Sequence, residues 1–426
     1  MSTERTDPLV IARTVRSDGL TVVRQPAPAG SAGFAATYVG PSGWAYDPAG
    51  REGTAVLASL LAPSAAGRRD RVTLARELDR LGGSVHRHCA PETNEVAVTG
   101  PAAELRALLG ILGDVVLRPR FESDDLERVR RQVLERQLRE ATQPGHRAER
   151  ELLHAVFPSG HPYRASGLGT RRTVRAVRRT DVVRFHREQT STAGGFVVLT
   201  TSRPLSEVER LVARAFDGFP RERPVRAEPS PRASPRSSVT RVVPMAGRSQ
   251  TEIRVGGLAI PRADPQYPAL YLANEVLGGR SLLNRLFQHV RERRGLAYHA
   301  SSDLDAMRWG GYWTAQAGTG PERADKVVRL VAAEVRAIAE RPIGSSELDR
   351  IRESAIGEIP LQLETAGDAH ELAVDAAYHG LPDQHWREWP STLRAISPKA
   401  IRVATGPVYD ADRAVTVVAG PESVRD

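Results

Sequence analysis

The sequence predicts an α+β protein of two homologous domains, each a mostly antiparallel sheet covered by helices, joined by a Pro/Arg-rich linker. Three observations carry this. The 426 residues suit two domains of about 200 residues, each large enough to bury its own core. Composition then breaks at 220–238, PRERPVRAEPSPRASPRSS, where repeated Pro, Arg and Ser leave almost nothing apolar to bury. Finally, the order of elements recurs on both sides of that break, down to single residues. Ser123-Asp-Asp-Leu-Glu-Arg-Val-Arg130 matches Ser345-Ser-Glu-Leu-Asp-Arg-Ile-Arg352, each after a hairpin and a long helix. The expected bounds are therefore 1–219 and 239–426, with 220–238 between them.

In the first half, 9–13, 20–24 and 33–39 read as short strands separated by Ser-Asp-Gly and a Pro/Ala/Gly segment. A small-residue apolar helix is expected over 52–62 and a second over 72–81, ending at Gly82-Gly83. Alternation over 84–90 and 94–99 predicts a hairpin. Apolar residues at helical spacing follow over 102–117 and 124–139, with further helical pieces to about Gln189. A strand at 196–201 and a helix at 205–216 close the half. The second half repeats the outline, with strands at 239–243 and 251–260, and helices from about 267 and 281. A hairpin (297–304, 311–317), a helix at 322–340 and another from Ser345 follow. In both matched segments the serine caps a helix whose first turn is acidic, complementing the dipole.

Composition excludes several classes. Hydrophobic content is 40% and no apolar run approaches the ~20 residues of a membrane span. The N-terminus, MSTERTDPLVIARTVRSDG, has no apolar signal core, so a cytoplasmic protein is expected. Cys89 is the only cysteine, which rules out an intrachain disulfide or a multi-cysteine metal site. The net charge of +9 invites a nucleic-acid reading. Against it, Lys326 and Lys399 are the only lysines, and the arginines mix with acids on helices such as 124–139, the pattern of a solvated face. The run 171–179, RRTVRAVRR, is the best candidate patch for an acidic partner, or else an exposed helix end.

The densest stretch is Leu277–Ala300, LGGRSLLNRLFQHVRERRGLAYHA. Leu282, Leu283, Leu286, Phe287 and Val290 recur at helical spacing, predicting one apolar stripe on a helix capped by Ser281. Gly295 sits where a helix end calls for positive φ, and Leu-Ala-Tyr-His beyond it starts a strand. Arg291 and Tyr298 flank that corner. In one continuous helix seven residues would separate them by roughly 10 Å along the axis.

A duplicated α+β unit with GGRSLLNRLFQHVRERRGLAY in its second half resembles the pitrilysin/insulinase family of inverted zinc peptidases, over essentially the whole chain. Leu78-Asp-Arg-Leu-Gly-Gly83, Leu117-Arg-Pro-Arg-Phe121 and His161-Pro-Tyr ahead of Gly167-Leu-Gly-Thr170 also match. The resemblance implies a half-clam-shell subunit. Active members carry H-x-x-E-H on the first helix, two zinc ligands and a general base, with a further Glu completing the metal shell. Here that segment falls on Gly53-Thr-Ala-Val-Leu-Ala-Ser-Leu60, so the positions hold Val56, Ser59 and Leu60, while the third-ligand position holds Arg136. No cofactor is expected in this chain.

The resemblance also implies a role for Arg291 and Tyr298, whose seven-residue spacing matches a pair that holds substrate and the developing oxyanion for a zinc site in the opposite half. The expectation is a zinc-free subunit of a heterodimeric metallopeptidase, serving a homologous partner chain that carries H-x-x-E-H and zinc, on a peptide substrate. The alternative is a non-catalytic scaffold or peptide-binding subunit. Bland readings stand beside these: Arg291 as a surface arginine, Tyr298 as a packed strand tyrosine, and Trp309, Tyr312 and Trp313 as core. His86 and His88 share a strand face without an evident carboxylate partner nearby in sequence. The strand 84–90 matches the family's substrate-binding edge, expected here to be a vestigial groove.

Overall fold

The computed structural model describes residues 7–192, 194–219 and 237–421. Positions 220–236 of the expected linker lie outside the described residues. The chain packs as two compact units. The first comprises Met1–Gln137, Ser166–Ala227 and Pro360–Glu388; the second comprises Leu138–Ala165, Glu228–Ile359 and Trp389–Asp426. The bounds expected from sequence were contiguous; the units instead exchange one segment each.

The first sheet contains β1 (Ala12–Val15), β2 (Thr21–Pro26), β3 (Gly33–Gly40), β4 (Ser84–Cys89), β5 (Asn94–Pro101) and β6 (Phe196–Thr201), in the order β1-β2-β6-β3-β5-β4. The second contains β7 (Val239–Pro244), β8 (Thr251–Ala259), β9 (His299–Ala306), β10 (Gly311–Thr319) and β11 (Val415–Gly420), in the order β7-β11-β8-β10-β9. Five strands therefore repeat, and β1 is an addition at one edge. In each sheet the last strand of the repeat pairs parallel with the first, β6 with β2 and β11 with β7, and the remaining pairs of the repeat are antiparallel. The duplication read from sequence is thus a duplication of topology.

The helices of the first half are α1 (Thr54–Leu61), α2 (Arg71–Leu81), α3 (Leu105–Leu117), α4 (Ser123–Thr142), α5 (Pro144–Val156), α6 (Arg171–Ala176), α7 (Arg179–Gln189) and α8 (Leu205–Ala215). Those of the second are α9 (Tyr267–Leu277), α10 (Ala324–Glu340), α11 (Ser345–Leu361), α12 (Ala366–Tyr378), α13 (His385–Ala395) and α14 (Pro398–Thr405). Local signals set their ends. The Asp70 carboxylate accepts from Thr73 N–H at 2.7 Å to start α2, and Gly82, at φ +60°, ends it where the sequence places the stop.

The inner strands of each sheet, such as β3 and β8, are buried along nearly their whole length, so both faces there need a cover. On one face of the first sheet, α3 and α8 enclose a core that includes Leu108, Ile111, Val197 and Val212. The other face takes α12, which packs on β3 and β6 around Val39, Val198 and Ala373. The second sheet is covered by α9 and α10 on strands β8–β10, and by α5, whose Ala148, Leu152 and Val156 meet Val415 and Val417 of β11. So α12, encoded in the second half, covers the first sheet, while α5, encoded in the first half, covers the second.

A buried polar relay pins α12. His370 is fully buried, with Nε2 2.7 Å from Thr37 Oγ1 and Nδ1 2.8 Å from Thr200 Oγ1. Thr200 donates to Gln25 Oε1 at 2.7 Å, so its oxygen accepts from Nδ1–H, and Nε2 accepts the Thr37 hydroxyl. The imidazole is neutral, and burial pushes its pKa down to about 3.

Candidate functional site

The stretch Leu277–Ala300 lies within the second unit. The continuous helix expected from Ser281 is not formed. Residues 281–284 make turns, and the helix starts only at Arg285, with 285–286 α-helical and Phe287–Glu292 continuing as π-helix. The apolar stripe splits accordingly: Leu286 and Val290 are fully buried, whereas Leu282 and Leu283 are 66% and 54% exposed. Ser281 Oγ accepts from Leu283 N–H at 3.2 Å, closing a local turn instead of a helix. The cap belongs to Asn284. Its Oδ1 accepts from Phe287 N–H at 2.7 Å while Nδ2 donates to the carbonyls of Gly279 (2.9 Å) and Ser281 (2.7 Å). One buried amide thereby ties the glycine turn to the π-turn.

One ion pair and one histidine–carboxylate hydrogen bond fasten this segment to the helices beside it. Arg285 donates two bonds of 2.8 Å to the Glu347 carboxylate on α11, holding that carboxyl below its usual range. His289 Nδ1 lies 2.7 Å from Glu334 Oε1 on α10. A π-turn carries more residues per turn than an α-helix and is a locally strained way to present a side chain. The side chain presented here is Arg291. It is exposed, and its guanidinium carbon sits 5.1 Å from the centre of the Phe287 ring.

The corner expected at Gly295 is present. Gly295 has φ +58°, its N–H donates to the Arg291 carbonyl at 2.8 Å, and Leu296 N–H reaches back to the Val290 carbonyl at 3.1 Å. Thr319 Oγ1 donates to the Leu296 carbonyl at 2.6 Å and Arg323 to the Gly295 carbonyl at 3.0 Å. The outgoing chain enters the sheet edge through Tyr298 N–H, which donates to the Gly318 carbonyl at 2.8 Å. Tyr298 is 61% exposed. It is not the packed strand tyrosine of the bland reading, and Arg291 and Tyr298 are both solvent-facing donors on either side of one rigid turn.

The positions Val56, Ser59, Leu60 and Arg136 lie in the first unit. Val56 and Ser59 are buried on α1, Leu60 packs partly on the core, and Arg136 is exposed on α4. Apart from Thr54 and Ser59, both buried, the helix is apolar. Asp47 holds its start, accepting from Gly53 N–H and Ala55 N–H, both at 2.7 Å. Burial raises the Asp47 carboxyl to about 7 against those two bonds, with Glu52 adding to the rise. Valine, leucine and arginine cannot ligate zinc, and serine alone cannot hold it, so these residues do not fit the metal. Among the described residues no group of three or more His, Cys, Asp or Glu is arranged to hold a metal ion.

The remaining candidates divide simply. His86 and His88 are exposed on the edge strand β4, and His88 lies across from Glu95 in register, a neighbour that sequence spacing had not revealed. Trp313 is core, its Nε1 donating to the Val408 carbonyl at 2.8 Å and its ring 4.9 Å from Tyr409. Trp309 stacks on Tyr163 at 6.0 Å, and Tyr312 reaches Glu149 at 3.5 Å. Cys89 is half-buried at the first core, and burial pushes its thiol well above the usual range. Phe287, Asn284 and His289 escaped the sequence reading, the first because it was counted into an apolar stripe. No helix among the described residues is long and apolar enough to cross a membrane.

Two family models match the chain: insulinase (peptidase family M16) over residues 31–171, and peptidase M16 inactive domain over 176–355. An uncharacterised zinc protease of Mycobacterium tuberculosis is 29% identical over 364 residues, covering 83% of this chain and 80% of that protein. One from Mycobacterium leprae is 28% identical over 361 residues, covering 83% and 79%. Among solved structures, the peptidase M16 inactive domain from Pseudomonas fluorescens superposes with a TM-score of 0.89 at 22% identity, covering 96% of this chain and 98% of that one. A protease from Helicobacter pylori gives 0.88 at 17% identity, covering 96% and 99%. Duplicated topology, the two matched models and relatives aligned along most of their length agree: the chain belongs to the M16 (insulinase) peptidase family, as a member without the zinc motif.

Proposed function

We propose that this chain is the zinc-free subunit of a heterodimeric metallopeptidase, supplying Arg291 and Tyr298 to a hydrolytic centre on a homologous H-x-x-E-H partner. The observation that carries the reading is the asymmetry between the units. The metal positions hold Val56, Ser59, Leu60 and Arg136, while Arg291 and Tyr298 stay exposed on a turn held by Asn284, Gly295, the Arg285–Glu347 ion pair and the His289–Glu334 hydrogen bond. A guanidinium and a phenol are both donors to a carbonyl oxygen that gains charge in acyl transfer. Neither residue does this for its own chain, which has no water-activating group at the matched positions. The substrate class is a flexible peptide, cut or matured by the pair.

The test is reconstitution. Mixed with an H-x-x-E-H family member that forms a complex with it, the chain should create peptidase activity that neither has alone. Arg291→Ala and Tyr298→Phe should each lower turnover about 100-fold while the complex still forms, the usual loss for an oxyanion donor. Full activity in both variants would remove the assigned roles. A stable complex without proteolysis would assign the chain to a scaffold or peptide-binding role.

A further inference from the structure

The basic run noted in the sequence is the start of a surface that the peptidase reading does not use. Residues 171–188 carry seven arginines against Asp181 and Glu188, a net +5 out of the chain's +9. They form α6 and the greater part of α7 in the first unit, whose inward side chains Val174, Val182 and Phe185 are buried in the core. Arg171, Arg172, Arg175 and Arg178 all point to solvent. For Arg171, Arg172 and Arg175 there is no carboxylate or carbonyl partner among the described residues. The nearby acid Asp181 is already engaged by Arg51 and Arg184, each at 3.3 Å.

Local structure gives no reason for this charge. Arg171 and Arg172 open the first turn of α6, where the helix dipole disfavours cations, and the cap there is supplied by Thr170. Arg179, by contrast, does structural work, donating to the carbonyls of Phe121 (2.7 Å) and Arg120 (3.1 Å). We infer that Arg171, Arg172 and Arg175 of α6, with Arg178 just ahead of α7, form a docking surface for an acidic peptide segment of a partner protein. The guanidinium fork pairs bidentately with carboxylates, and concentrated like charge steers an oppositely charged partner.

The surroundings favour that occupant over other polyanions. Single-stranded nucleic acid is held by exposed aromatic platforms, and the one aromatic ring of this segment besides His186, Phe185, is buried. A membrane surface takes interleaved apolar side chains, and Val183 is the one large apolar residue exposed over 171–188. A duplex would add phosphate contacts along a longer basic track than two short helices offer.

The probe is fluorescein-labelled octaglutamate, titrated by anisotropy against the full chain at low salt, which needs neither the proposed partner nor activity. Arg171→Glu/Arg172→Glu/Arg175→Glu should weaken binding about tenfold or more, with circular dichroism and thermal midpoint retained. A control of equal charge, Arg80→Glu/Arg350→Glu/Arg402→Glu, alters exposed arginines elsewhere and should leave most of the affinity. Equal loss in the two triple variants would overturn the proposal. So would a 20-base-pair duplex or phosphatidylglycerol vesicles binding more tightly than octaglutamate and losing that binding in the α6 variant.

Discussion

The Arg291 guanidinium lies over the Phe287 ring, 5.1 Å from its centre, within one turn of π-helix. An α-helical i, i+4 pair would stack side by side on the helix surface; the wider turn and the Asn284 cap set Phe287 beneath the cation as a platform. At an exposed site such a contact is worth about 0.5–1 kcal/mol. In the reconstituted pair, Phe287→Leu should therefore lower turnover several-fold and leave assembly intact, while Phe287→Tyr, which keeps the ring, should retain most of it. Equal loss in the two variants would point to packing.

The split of the apolar stripe makes a sharp contrast in stability. Leu282→Ser and Leu283→Ser remove side chains that mostly face water, and each should shift stability by no more than about 0.5 kcal/mol. Leu286→Ala removes a fully buried side chain and should cost about 2–5 kcal/mol. Chemical denaturation of the three variants checks it; comparable losses at 282 and 286 would restore the continuous helix.

Glu95 on β5 has its carboxyl raised to about 7 by burial, with Glu371 on α12 adding repulsion. Its ordinary value is 4.5. Between these values the folded chain holds a proton that the unfolded chain has released, so stability falls as pH rises through that window. Glu95→Gln should raise the denaturation midpoint at pH 8 relative to the parent, and the gap should close below pH 4.5. A gap that widens on acidification contradicts the assignment.

His370 carries the opposite sign. Its folded value is about 3 against an ordinary 6.5, so between those values the unfolded chain binds the proton and stability drops as pH falls. His370→Ala should cost about 2–4 kcal/mol near pH 7, where the relay between Thr37 and Thr200 loses its centre. That deficit should shrink steadily toward pH 4. A pH-independent deficit would mean that packing volume alone matters at this position.

Much of the fold was legible in the sequence because its local signals agree with one another. The alternation at 94–99 became β5, the apolar run at 196–201 became β6, and Asp70 with Gly82 bracketed α2. Periodicity failed at 281–284, where Ser281 and Asn284 offer the backbone side-chain partners that compete with helical bonds. Leu282 and Leu283 satisfied the pattern without a core to receive them, whereas Leu286 is buried. Apolar spacing in α5, at Ala148, Leu152 and Val156, shows that a face is buried but not which sheet receives it, since cover of a sheet is a long-range choice. At the site, the spacing of Arg291, Gly295 and Tyr298 was readable, whereas Phe287 and Asn284 act through contacts that no spacing rule encodes.

The exchange of α5 and α12 bears on how the chain is made. Strands β1 to β6 are all synthesised by Thr201, yet the face around Val39 and Val198 has no cover until Tyr378 has left the ribosome. Over that interval the nascent first sheet carries an exposed apolar surface, the condition that draws chaperones and invites misassembly. The second sheet waits for a strand instead of a cover. Its α5 cover is already made when β7 appears, and only β11, from Val415 on, closes it. The two halves, equal in topology, are thus unequal in time: the first sheet has its last cover once Tyr378 is made, whereas the second is complete only with β11.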